Sequence, residues 1–161
     1  MQHELAHQIH SVFWPANKLQ GSGGAHFLKE CSNKGMALSE GFADFAPVWV
    51  QASRNEVPYG DFGFDIESPN GNCNTNNISE IWVAGTFWDM HDTVRDGQDT
   101  VYWSSNGAVM AVFLGSHGWK GGQKITGMSD FQSIYADLAG KHGAQYKTAF
   151  QNIFIQNHTG A

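Results

Sequence analysis

Leu38, Phe42, Phe45 and Trp49 recur at i, i+4, i+7 and i+11, the spacing of a helix that turns one apolar face to a core. Pro47 falls inside this pattern and should kink or stop the helix. Before it, an uninterrupted segment from near the start to about Phe13, bounded by Pro15, predicts a first helix. Residues 15–35 read as loop, with Gly21-Ser22-Gly23-Gly24 and Asn33-Lys34-Gly35 as breakers. Residues 54–77 carry no helical period, and Pro58, Pro69-Asn70-Gly71 and Asn74-Thr75-Asn76-Asn77 mark a long irregular loop. Ser79 is a plausible N-cap for a third helix reaching about Val94, with Glu80, Ala84, Phe87 and His91 on one face. Ala84 and Gly85 are small enough to let a neighbouring element approach. Further helices are expected over 104–114, 129–140 and 144–156, with Gly-rich loop from Gly115 to Gly127. Few strands are visible, so the fold class is mainly α.

Composition narrows the partners. A chain of 161 residues, 41% hydrophobic and 13% aromatic, can build one domain with a real core. The net charge of −6, with nine Lys and Arg spread without a cluster, argues against nucleic acid. No run of 18 apolar residues is present, so no membrane span is expected. Cys31 and Cys73 are the two cysteines. A pair in so loop-rich a chain suggests a disulfide in an exported protein, and two separate buried thiols are the alternative. Neither has C-x-x-C spacing, so neither reads as a zinc ligand.

The candidate chemistry lies at the start. In His3-Glu4-Leu5-Ala6-His7 the two imidazoles sit at i and i+4, one above the other on a helix, so both can reach one metal ion. Glu4 follows the first, where its carboxylate can meet a water beside the metal without binding the metal. Given 8 His in the chain, chance would produce about 0.015 copies of this H-E-x-x-H pattern. A catalytic zinc site wants a third protein ligand and one open position. The metzincin pattern would put a His at Phe13 and a Gly at His10, and it fails at both. Glu40 is the only Glu followed at i+4 by Asp, and on a helix Glu40 and Asp44 share a face. Glu40 can then be the third ligand, while Asp44 accepts the outer N–H of a ligand His. A solvated acidic face is the plain alternative for this pair.

The two-part signature His3-Glu4-x-x-His7 and Glu40-x-x-x-Asp44 resembles that of the gluzincins, the zinc peptidases typified by thermolysin. The segment Ser39-Glu40-Gly41-Phe42-Ala43-Asp44-Phe45 is similar to secreted bacterial and fungalysin-like members, and Trp88-Asp89-Met90-His91-Asp92 resembles a helical segment of such proteins. The match covers the first third of the chain. It implies one zincin-like catalytic domain over 1–161, with His3, His7 and Glu40 on Zn2+, Glu4 as general base and acid, and Asp44 orienting a ligand His. It also implies a peptide or protein substrate and a secreted, extracellular setting. Such peptidases place a sheet-bearing segment upstream, yet Met1 stands two residues before His3. The expectation is therefore the helical lower lobe of a zincin-like domain, N-terminally truncated, with long irregular loops and the upstream sheet largely missing.

The implied reaction needs one more donor, to stabilise the oxyanion formed when a peptide carbonyl is attacked. His91 and Tyr102 are the candidates, against readings of His91 as a surface residue and Tyr102 as core. His10 would be superfluous to a three-ligand site, and His26, His117, His142 and His158 read as structural. Asp92, Asp96 and Asp99 could gather around Ca2+, but they lack the twelve-residue EF-hand spacing, and a helix-ending turn is the preferred reading. The competing functional readings are a non-catalytic zinc-binding remnant of such a domain and a helical interaction domain without metal.

Overall fold

The computed structural model describes residues 2–13, 28, 30–51, 55–56, 64–66, 73, 77–91, 127–129, 132 and 144–157. Among these are four helices: α1 (Gln2–Phe13), α2 (Lys34–Gln51), α3 (Glu80–Asp89) and α4 (Ala144–Gln156). Four short strands accompany them: β1 (Cys31–Asn33), β2 (Asn55–Glu56), β3 (Phe64–Asp65) and β4 (Asn77–Ser79). They form two antiparallel pairs, β1 with β4 and β2 with β3. The fold is mainly helical, as the apolar spacing predicts.

Three of the expected helices are in place at 2–13, 34–51 and 144–156. Pro47 does not stop α2, which continues to Gln51. An internal proline costs about 3 kcal/mol, because its ring crowds the preceding turn and it donates no hydrogen bond. The same stretch buries Phe42, Phe45 and Val48, each worth roughly 1.5–3 kcal/mol, so packing offsets the break. The third helix ends at Asp89, short of the expected Val94. The Met90 N–H bonds to the Thr86 carbonyl at 3.2 Å, and the His91 N–H reaches back only to Trp88 at 2.7 Å, a tighter turn that closes the helix. Within the stretch expected to be loop, strands of two and three residues occur, too short to leave a period-2 signal. The helices expected over 104–114 and across most of 129–140 lie outside the described residues.

The contacts set the directions of the helices. Gln51 donates a hydrogen bond from Nε2 to Gln2 Oε1 at 3.1 Å, His3 meets Asp44, and His7 meets Glu40. As α1 ascends, its partners on α2 descend, so the two run antiparallel. Against α3 the order is the same on both helices. Gly41 faces Glu80 and Val83, Phe45 faces Phe87, and Phe45 and Trp49 face His91, so α2 and α3 run parallel.

α3 is buried along its whole length, with Glu80, Thr86 and Asp89 enclosed among its apolar side chains. Phe42 and Phe45 pack their rings against Phe87 at 6.3 and 5.7 Å between centroids. The close approach needs glycine. A Cβ at Gly41 would stand 2.5 Å from Val83 Cβ and 2.7 Å from the Glu80 carbonyl oxygen. Gly85 likewise lets the Ile66 carbonyl and Asn157 approach on another side of α3. Asn157, just beyond α4, donates from Nδ2 to Asp89 Oδ2, which ties α4 to the end of α3.

The helix starts are fixed by side chains. Asn33 Oδ1 accepts the Met36 N–H at 3.0 Å, which makes Asn33 the cap of α2. Ser79 does occupy the cap position of α3, but its hydroxyl does not bond the helix. It donates instead to the Leu28 carbonyl at 2.8 Å, anchoring the incoming chain. Cys31 and Cys73 form a disulfide spanning 42 residues, which decides between the two readings of the cysteines.

Candidate metal centre

Two features of the sequence bring the site together. The i, i+4 spacing stacks His3 and His7 on one face of α1, and the same spacing stacks Glu40 and Asp44 on α2. Ala6 is fully buried between them in sequence, so α1 turns this face onto α2. The Gln2–Gln51 bond holds the other end of the contact in register. Sequence reasoning missed this tie, because nothing in two isolated glutamines 49 residues apart signals it.

Three donor atoms converge. His7 Nε2 lies 3.1 Å from His3 Nε2 and 3.1 Å from Glu40 Oε2, and His3 Nε2 lies 3.3 Å from the same oxygen. Four ligands at about 2.0–2.1 Å around a tetrahedral ion stand roughly 3.3 Å apart, so the spacing fits a small divalent cation. Among the described residues, His3, His7 and Glu40 form the one group of three or more such side chains that could hold a metal ion.

Behind these atoms, His3 Nδ1 faces Asp44 Oδ1 at 3.0 Å. The contact turns Nε2, the other ring nitrogen, toward His7 and Glu40. Burial opposes a charge on His3, but the Asp44 and Glu40 carboxylates outweigh it and hold the imidazolium pKa up at about 10. Below that pKa the ring carries a proton that a metal would have to displace. Exposure is graded across the cluster: Glu40 and Asp44 are only 10% and 8% exposed, His7 is 25% exposed, and Glu4 is on the surface. The open side of the cluster is the side of His7.

His91 lies among aromatic rings. Phe45, Trp49 and Trp88 meet it edge-on, with centroids 5.8–6.4 Å away. Burial lowers its pKa, so the ring is neutral near pH 7. His91 is not one of the three converging residues. Tyr102, Asp92, Asp96 and Asp99 lie outside the described residues, as does the side chain of His10.

Comparison with protein families carries the assignment further. Residues 1–159 match the model of the mycolysin C-terminal domain. The chain belongs to the mycolysin C-terminal domain family. Mycolysin is a zinc metalloprotease, so the coarse level of the resemblance read from the sequence holds. No curated protein and no solved structure matches the chain. The disulfide and the mycolysin family are both consistent with a secreted protease. Among the described residues, no helix is long and apolar enough to cross a membrane.

Proposed function

We propose that this mycolysin-family chain carries the catalytic centre of a secreted, gluzincin-like zinc endopeptidase, as one domain over 1–161. His3, His7 and Glu40 would hold Zn2+, Asp44 would orient His3, and Glu4 would be the general base and acid. The observation that carries this reading is the meeting of His3 Nε2, His7 Nε2 and Glu40 Oε2 within 3.1–3.3 Å of one another. The donor set, two imidazoles and a carboxylate, is one that zinc favours in hydrolytic sites.

When bound, zinc supplies Lewis acidity that makes water nucleophilic near neutral pH. The protein's own groups do the rest. Glu4, exposed on α1, accepts the proton of the attacking water and delivers it to the leaving amine. The Asp44 contact keeps His3 in one tautomer, with Nε2 free to donate its lone pair. His91 or Tyr102 supplies the donor that steadies the oxyanion. The depressed pKa of His91 leaves it neutral, with one N–H to donate.

The test separates binding from turnover. Glu4→Gln keeps zinc and loses hydrolysis of a protein substrate; loss of zinc in that variant would sink the role given to Glu4. Glu40→Ala weakens zinc binding, and unchanged metal content in that variant would remove Glu40 from the ligand set.

A further inference from the structure

Cys31 and Cys73 are absorbed by none of the chemistry above, yet Cys31 sits at the root of α2, which carries Glu40, and beside the start of α3, which packs against α2. β1 runs directly into α2 and β4 directly into α3. Within this pair Cys31 is opposite Ser79, the cap position of α3. Ser79 and the Ile81 N–H both bond the Leu28 carbonyl, at 2.8 and 3.2 Å, three residues before Cys31. Asn33, two residues after Cys31, caps α2. The disulfide ties this junction to Cys73, which packs partly buried against the core. Glu40 lies on α2 two turns beyond the junction, and the next residue, Gly41, is pressed against Glu80 and Val83 of α3. The lateral position of Glu40 therefore depends on how α2 and α3 are held at their common start. Cys31 is on the surface, where a reductant can reach it.

We propose that the Cys31–Cys73 disulfide is a redox lock on the metal centre, positioning Glu40 so that the site reaches full metal affinity only when the two sulfurs are joined. The inference rests on the reading of His3, His7 and Glu40 as zinc ligands. A two-electron reductant, a dithiol or a phosphine, opens the lock. The Sγ–Sγ bond breaks, and both sulfurs leave as thiols after taking up two electrons and two protons. The dithiol becomes a cyclic disulfide, or the phosphine takes oxygen from water to become its oxide. With the link gone, the β1–β4 junction is free to shift and the carboxylate loses its fixed place opposite the imidazoles. A chain that reaches a thiol-rich compartment would then bind zinc weakly, and one in an oxidising medium tightly.

The experiment measures zinc affinity by competition with a chromophoric chelator, on the oxidised chain, on Cys31→Ser/Cys73→Ser and on Glu40→Ala. Co2+ absorption reports the ligand geometry, and far-ultraviolet circular dichroism reports the helices. The expected result is tight 1:1 binding by the oxidised chain and affinity lower by about 5- to 150-fold in the double serine variant, the usual range of coupling between two sites. The Co2+ band should change while helix content is kept. A disulfide serving stability alone would lower the melting temperature and leave the affinity and the Co2+ spectrum unmoved below it. Affinity within about twofold of the oxidised chain overturns the lock and leaves the ligand assignment standing. Failure of the oxidised chain to bind zinc overturns both. If the double variant does not fold, the wild-type chain decides: zinc should shift the equilibrium of Cys31 and Cys73 with glutathione toward the disulfide, and an equilibrium unmoved by zinc overturns the lock.

Discussion

Gly41→Ala tests whether the helix contact beside the third donor is as close as the structure has it. The new Cβ would meet Val83 Cβ at 2.5 Å and the Glu80 carbonyl oxygen at 2.7 Å. Ordinary contact needs about 3.5–4.0 Å, so α2 and α3 must part by roughly 1 Å. Neither obstacle is a flexible side-chain end, since one is backbone and the other is fixed to it. Overpacking of this kind costs about 1–3 kcal/mol. Alanine also favours a helix over glycine by about 1 kcal/mol, which partly offsets the clash. The net expectation is a loss of up to about 2 kcal/mol, or up to roughly 8 °C in melting temperature for a chain of this size. Thermal unfolding followed by circular dichroism measures it. Because Glu40 is the adjacent residue, zinc affinity should fall as well. A Gly41→Ala protein that melts higher than wild type would refute the close contact, because only the helix-propensity gain would then remain.

Asp44→Asn should lower zinc affinity by about 10- to 100-fold, because the amide holds His3 Nδ1 less firmly than the carboxylate now 3.0 Å away. Calorimetric titration checks this, and wild-type affinity would remove Asp44 from the support of His3. The charge on His3 sets a pH dependence with a definite sign. Its pKa of about 10 lies above the ordinary 6.5, so the charged ring stabilises the metal-free fold fully below about 6.5, and this contribution is lost as pH rises through about 10. The same proton must leave before zinc binds, so affinity should rise by about tenfold per pH unit across that window, with proton release measurable in buffers of different ionisation heat. A flat affinity profile there would contradict the charge assigned to His3. Asn157→Ala removes the buried amide that donates to Asp89 and to the Ile153 carbonyl, and should cost about 1–3 kcal/mol in denaturant unfolding. A change smaller than about 0.5 kcal/mol would mean that the link between α3 and α4 contributes little.

The features legible in the sequence were those set by local period. His3 with His7 and Glu40 with Asp44 each follow from one turn of helix, and the stripe Leu38, Phe42, Phe45, Trp49 from three. That the two pairs meet was suggested by ligand count, which no local rule supplies. The course of α2 through Pro47 was not legible, because burial of Phe45 and Val48 outweighs a local preference. Nor was the second task of Ser79, whose hydroxyl serves Leu28, 51 residues away, rather than its own helix. β1 and β4 are three residues each and, among the described residues, pair only with one another, so neither could announce itself alone.

These long-range features have one consequence for the site. α1 contributes two donors from a helix whose outer side, including Leu5, is open to solvent. α2 contributes the third from a helix buried on nearly every side. A site built this way has one rigid wall and one exposed wall, and a cation between them joins the exposed helix to the core. Metal binding should then stabilise α1 more than α2, since α2 is already held by α3, by the Asn33 cap and by the disulfide at its root. Amide exchange should show this asymmetry: zinc should slow exchange across α1 strongly and change α2 little. Equal protection of both helices would mean that α2 is no firmer than α1 before the metal arrives.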